Sequence, residues 1–271
     1  MASFSVVTNI ASSNAQANLH TTQLGLQKAL TRLSSGFRIN SSGDDAAGLV
    51  TANQYRQDLA VLTQGIRNAN DGVSDLQIKD GALANVATLL DRLSTLATQA
   101  ASGTTSGTSL TSIQNEFTDV LAEINRESTV AGLATAANFS VFVSNDNAGA
   151  ATDGKITGTI AAVTTTSLGL AALSVASQAG AEAAVEAIAT AVGTLGSSQA
   201  KIGTLQNRLQ FAIGLAQSQV VNTRAAESRI RDANIAEESA NMTRYNILTQ
   251  SGIAALAQAN QSTSSVLSLL R

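Results

Sequence analysis

Residues 55–90 read YRQDLAVLTQGIRNANDGVSDLQIKDGALANVATLL. Stepping alternately by four and three from Tyr55 reaches Leu59, Leu62, Ile66, Ala69, Val73, Leu76, Asp80, Leu83, Ala87 and Leu90, and only Asp80 is neither apolar nor aromatic. A 3.5-residue repeat keeps one side of a helix turned toward a partner, so the stretch predicts a long helix with a coiled-coil seam. Val185, Ile188, Val192, Leu195, Gln199, Ile202, Gln206, Leu209, Ile213, Ala216 and Val220 predict a second seam. Leu110, Ile113, Phe117, Val120 and Ile124 predict a shorter third. Each stripe alone would face water; packed together the three bury it.

Outward from the first seam, the helix is expected to start near Ser42, where S-G-D-D sets a Ser cap ahead of an acid, and to end near Ala101, before SGTTSGT. Such a helix is ~85 Å long at ~1.5 Å per residue. The other long helix is expected from about 178 to 233. Matched lengths favour an elongated antiparallel bundle. Over 138–175 the chain becomes rich in Thr, Val, Gly and Asn, with Phe139, Val141 and Val143 alternating, then Ile156, Gly158 and Ile160. That pattern predicts a β-hairpin, which alone is marginal in water and must lean on the bundle.

Composition agrees. The 271 residues include no Pro, Cys or Trp and a single His, His20. An interior Pro costs a helix ~3 kcal/mol, so its absence suits long unbroken helices. Without Cys there are no disulfides or thiolate metal sites. One isolated His leaves no catalytic or metal constellation, and no cofactor is expected; His20 reads as a surface or interface residue. Charged residues make up 13% of the chain and the net charge is −3, unlike the clustered Lys and Arg of a nucleic-acid surface. No stretch approaches the ~20 apolar residues of a membrane span. MASFSVVTNIASSNAQ lacks the basic start and apolar core of a secretory signal, so exit from the cell would need a dedicated route. The segment DNAGAATDG (146–154) lacks ordered calcium-ligand spacing and reads as a turn.

The two ends carry one apolar stripe each. Leu19, Leu26, Leu30, Leu33 and Phe37 fall within ~60° on a helix, and Ile253, Leu256, Leu267 and Leu270 within ~100°. One stripe is too little for a free-standing domain, so the ends are expected to pack on each other and on other copies. The polar elbow TRLSSGFRINSSGDDAAGL (31–49) joins the first of them to the bundle, with Gly36 and Gly43 permitting non-helical backbone. RIRDANIAEESANMT (229–243) is polar in the same way and is expected to mirror it. Adjacent Asp44 and Asp45 read either as acids at a helix start or as partners for Arg on neighbouring copies.

The runs RLSSGFRINSSGDDAAGL (32–49), NANDGVSDLQIKDGALANV (68–86), SRIRDANIAEESANMTRYNIL (228–248) and ALAQANQSTSSVLSLLR (255–271) together resemble bacterial flagellin. The resemblance implies a mainly α fold: an outer bundle over 43–233 with a hairpin at about 138–175, and an inner domain of paired terminal helices from 1–42 and 234–271. It implies a subunit that self-assembles into the extracellular flagellar filament for motility, exported without a cleaved signal peptide, with terminal helices folding on polymerisation. Export chaperone, junction and cap proteins are the implied partners, and Leu19, Leu26, Leu30, Leu33, Phe37, Arg38, Asp44, Asp45, Ile253, Leu256, Leu267 and Leu270 the subunit interface. Alternatives are a hook–filament junction protein, which shares the terminal design, or a non-flagellar coiled-coil binding module, which would have ordered ends as a monomer. LDRLSTLATQ (90–99) resembles the family segment recognised by vertebrate Toll-like receptor 5, carrying over Arg92 and Leu96, with Glu116 beside them and QNRLQFAI (206–213) on the facing helix. Against that stands the plain reading of Leu96 and Ile213 as bundle packing.

Overall fold

The computed structural model of the chain describes residues 8–104, 106–144 and 154–269, with 263–269 as helical backbone alone. Five helices and one hairpin follow in the order α1 (Ile10–Ser35), α2 (Ala46–Ala101), α3 (Gly107–Val130), β1 (Ala137–Phe142), β2 (Lys155–Ile160), α4 (Gln178–Arg231) and α5 (Ile235–Leu269). The two long helices run antiparallel, as do α1 and α5. They form two compact units. One is the contiguous segment Asp58–Val221; the other joins the chain's two ends, Met1–Gln57 and Asn222–Arg271.

In the contiguous unit the core follows a strict three–four alternation. Along α4 the buried positions are Ala181, Ala184, Ile188, Ala191, Leu195, Ser198, Ile202, Leu205, Leu209 and Ala216. Every second position of the expected seam is therefore wrong by one residue: Val192 is 46% exposed while Ala191 is buried. Gln199 and Gln206 mark the same slip, since their neighbours Ser198 and Leu205 face inward. Small residues at alternate seam positions let the helix axes approach closely, which an apolar-only search overlooks.

On α2 the same alternation runs through Leu62, Gly65, Ala69, Gly72, Leu76, Lys79, Leu83, Val86, Leu90, Leu93, Ala97 and Ala100. Asp80, the one polar break in the expected series, is exposed. Its neighbour Lys79 lies inward and pairs with Asp75 at 2.5 Å. Gly65 and Gly72 make room for the hairpin. A Cβ on Gly65 would sit 1.6 Å from the Val143 carbonyl oxygen, and one on Gly72 2.8 Å from Val141 Cγ2. On the other side Gly158 fits against Leu205, where a Cβ would meet the Leu side chain at 2.6 Å.

The hairpin pairs Phe139 with Gly158 and Val141 with Ile156, antiparallel. Phe139, Val143, Ile156 and Ile160 join the core, so the strand leans on the bundle as its alternation predicts. After β2 the chain returns through a turn with Leu168 and Leu170 buried on either side of Gly169, whose φ of 74° suits glycine. Asn125 of α3 accepts the Thr165 N–H at 3.0 Å, and Gln114 accepts the Val175 N–H at 2.6 Å. These two amides fix the return segment along α3.

Candidate assembly interface

The unit built from both ends rests on one seam and one elbow. On α1 the inward positions Leu19, Thr22, Leu26, Ala29 and Leu33 alternate by three and four, and Met242, Tyr245, Thr249, Gly252, Leu256 and Ala259 do so on α5. Five of these eleven are small or polar. The helices meet closely where they are glycine: a Cβ on Gly25 would lie 2.7 Å from the Tyr245 ring, and one on Gly252 3.1 Å from Leu19. Asn9 caps α1 through the Ser12 N–H and also donates to the Ala259 carbonyl at 2.9 Å, tying the two ends together.

At the elbow α1 stops on Gly36, whose φ of 74° is the left-handed cap conformation, with its N–H on the Arg32 carbonyl at 2.9 Å. The chain then pairs with the mirrored connector. Arg38 N–H donates to the Arg231 carbonyl at 2.7 Å, and Ala233 N–H to the Gly36 carbonyl at 2.9 Å. The Arg231 guanidinium lies 4.1 Å over the Phe37 ring, and Arg38 also reaches the Ile230 carbonyl at 2.7 Å. Arg32 and the buried Glu238 form an ion pair at 2.8 Å. The mirrored polar site expected at 229–243 is thus joined to the elbow residue by residue.

Asp44 and Asp45 are both engaged within the chain. Lys28 meets Asp44 at 2.8 Å and holds its carboxyl well below the ordinary carboxylate range, helped by the N–H groups of Ser41 and Asn40. Asp45, not Ser42, caps α2: its Oδ1 accepts the Gly48 N–H at 2.9 Å, and the helix begins at Ala46. The expected Ser cap gives way because Ser41 and Asp44 close a turn of their own. Gly43 has no positive φ, so its position makes no demand for glycine.

The outer faces of the pair carry several exposed apolar side chains. Leu24 is 54% exposed, Ile247 60% and Ile253 55%, with Ile10, Leu30, Leu248 and Ile235 also exposed. Each terminal helix thus carries apolar residues off its seam as well as on it. Of the residues expected at the interface, Leu19, Leu26, Leu33 and Leu256 line the α1–α5 seam, at least half-buried, and Phe37 closes the elbow. Leu30 and Ile253 point outward. Leu267 belongs to the stretch described by backbone alone, and Leu270 lies outside the described residues. Leu24, Ile247 and Leu248 lie outside the single arc that the apolar stripe of each terminal helix occupies.

On the contiguous unit, Arg92 and Glu116 are exposed and joined: the Arg92 Nε–H donates to Glu116 Oε1 at 2.8 Å. Leu96, grouped with them by the sequence, is 2% exposed and packs in the core, so it belongs to no surface patch. Among the described residues no helix is long and apolar enough to cross a membrane.

A helical pair made from both chain ends, with large apolar side chains exposed as well as buried, is the arrangement of a structural helical protein rather than of a catalytic site. Comparison with known proteins makes the class specific. The bacterial flagellin N-terminal helical region matches residues 6–132, and the bacterial flagellin C-terminal helical region matches 185–270. The chain is 34% identical to the flagellar filament 33 kDa core protein of Treponema phagedenis, over 97% of this chain and 98% of that one. It is 35% identical to a flagellin of Halalkalibacterium halodurans, again over 97% and 98%. A crystal structure of Bacillus cereus flagellin overlaps 59% of this chain and 94% of its own, at 28% identity and a TM-score of 0.48. The chain belongs to the bacterial flagellin family, as a structural subunit of the flagellar filament and not an enzyme.

Proposed function

We propose that residues 1–42 and 234–271 act as the inner tier of the filament, ordered by contact with neighbouring copies, and that 43–233 act as the outer bundle. The observation that carries this reading is the exposed apolar side chains of α1 and α5, Leu24, Ile247 and Ile253 foremost. Ordering a residue costs roughly 1–2 kcal/mol of backbone entropy. A seam with Thr22, Ala29, Thr249, Gly252 and Ala259 at five of its eleven positions returns little apolar burial against that cost. Neighbouring copies supply the missing area, so ordering of the ends is coupled to polymerisation. Weakly ordered ends also suit export of the unfolded chain through a narrow channel, and the family resemblance supports an export chaperone and the junction and cap proteins as partners. The exposed Arg92–Glu116 pair is the surface through which Toll-like receptor 5 would recognise the monomer.

Limited proteolysis of the monomer and of seeded filaments tests the coupling. Cleavage should trim roughly residues 1–40 and 235–271 from the monomer and spare them in filaments. Ends that resist protease in a chain shown by ultracentrifugation to be monomeric would refute it.

A further inference from the structure

Oxidants find few targets in this chain. It has no Cys or Trp and two methionines, Met1 and Met242. Met1 lies outside the described residues, so Met242 is the one sulfur among them. It stands on the inward face of α5 yet is only partly buried. Three contacts fix the register of α5 against α1. A Cβ on Gly25 would meet the Tyr245 ring, one on Gly252 would meet Leu19, and Arg32 pairs with Glu238. Counting between those contacts sets Met242 across from Ala29, which is buried at 2% exposure. A methyl group is covered only by a larger neighbour, and an unbranched thioether fills such a gap well.

The polar atoms nearby respond to a change at that sulfur. Glu238 is one turn before Met242 on α5, and Arg32 one turn after Ala29 on α1. Arg32 Nη1 donates to Glu238 at 2.8 Å, while its Nε is buried and has no acceptor among the described residues. Helix side chains lean toward their own N-terminus. On antiparallel helices that direction brings Met242 and Arg32 toward each other. An oxygen added to the sulfur would offer Arg32 Nε the acceptor it lacks.

We propose that Met242 is a reversible oxidation site that governs the pairing of α1 with α5, and that its oxidant is a peroxide. The sulfur lone pair attacks one peroxide oxygen and the O–O bond breaks. That oxygen stays on sulfur as the sulfoxide, and the other leaves as water. Sulfur gives up two electrons and the peroxide takes them. A sulfoxide reductase reverses the step, two thiols becoming a disulfide as the oxygen leaves as water. In the oxidised chain the new oxygen reaches for Arg32 Nε. That lifts the side chain off Ala29 and sets a second acceptor on the guanidinium that Glu238 already holds. A sulfoxide left over Ala29 without a donor is costlier still. In both positions the oxidised copy fails to close its helical pair. The assignment rests on the filament reading and adds to it a chemical control on which copies join.

Monomer treated with hydrogen peroxide, and shown by peptide mass to carry one added oxygen at Met242, should elongate untreated seeds at least about tenfold more slowly, the effect of one poorly satisfied buried acceptor. Methionine sulfoxide reductases for both sulfoxide epimers, with dithiothreitol, should restore the rate. Met242→Leu keeps the apolar bulk without the sulfur, so peroxide should leave its elongation unchanged while Met1 still oxidises. Parent chain oxidised at Met242 that elongates normally would overturn the site. So would a treated Met242→Leu chain that slows as much as the parent, or a Met242 left unmodified at a dose that oxidises Met1. If untreated Met242→Leu does not assemble, the reductase decides on the parent alone: recovery that tracks loss of oxygen from Met242 supports the site, and lasting inhibition overturns it. Failure of the untreated parent to elongate seeds would instead overturn the filament reading.

Discussion

Gly65 lies in the middle of a 56-residue helix, where alanine is intrinsically better by ~1 kcal/mol. Gly65→Ala should nevertheless destabilise the protein. The new Cβ would lie 1.6 Å from the Val143 carbonyl oxygen, against an ordinary carbon–oxygen contact of about 3.3 Å. Helix backbone flanked by full turns on both sides has no room to yield, so the hairpin must retreat by about 1.7 Å. Retreat unseats Val143 and Ile156, both buried. It also stretches the Asn68 bond to the Phe142 carbonyl, already 3.3 Å. Losing the burial of two aliphatic side chains costs about 1.5–3 kcal/mol each, which after the helix gain leaves roughly 2–5 kcal/mol of destabilisation. Gly81→Ala is the matched control in the same helix: nothing stands within 4 Å of its Cβ, so it should stabilise by up to ~1 kcal/mol. Urea unfolding of the monomer followed by circular dichroism measures both. If Gly65→Ala unfolds at or above the parental midpoint with the same slope, the hairpin does not rest on α2 as described.

Three further outcomes are expected. The Asp44 carboxyl is held low in the folded elbow, so its contribution to stability is present at neutral pH and fades as pH falls below the ordinary value of about 3.9 toward the folded one; Asp44→Asn should flatten that acid limb in thermal melts, and an unchanged limb would exclude the Lys28 contact as its source. Leu90→Ala should cost about 2–5 kcal/mol, since Leu90 is fully buried, whereas Arg92→Ala should cost under about 1 kcal/mol and instead lower Toll-like receptor 5 signalling by monomer in reporter cells. Removing residues 262–271 should abolish filaments in electron micrographs while the urea transition of the contiguous unit persists; normal filaments from the shortened chain would show that the α1–α5 tier does not need that end.

The helices, their order and the hairpin were legible because each obeys a strong local rule: a 3.5-residue repeat, a two-residue alternation, no proline to interrupt. The long helices end within a few residues of where SGTTSGT and the polar 229–243 run place the breaks. The phase of the seam was not legible from apolar residues alone. Gly65, Gly72, Ala191 and Ser198 face inward because they are small, and Lys79 because its ammonium finds Asp75. Val192 scores as core in any hydrophobicity count, yet close packing prefers the alanine beside it. The cap of α2 fell to Asp45 because two adjacent acids can divide two tasks, which spacing cannot apportion. The elbow was legible as a polar break, but its partner strand is nearly two hundred residues away, and only the fold brings Phe37 to Arg231. Leu24, Ile247 and Leu248 lie off the one apolar stripe of each terminal helix, so a single-stripe reading does not reach them.

The bridge between Phe37 and Asp232, and the bond from Asn9 to Ala259, set an order of events. The contiguous unit can fold from its own residues as soon as they are available. The unit made from both ends cannot begin until the last of the chain is present. A chain ending before residue 222 keeps every residue of the contiguous unit, yet offers no seam for α1 and no elbow partner for residues 36–38. Under the proposed assembly, a copy lacking α5 would not supply the pair that neighbouring copies order, so completeness of the chain and competence to assemble would be one property.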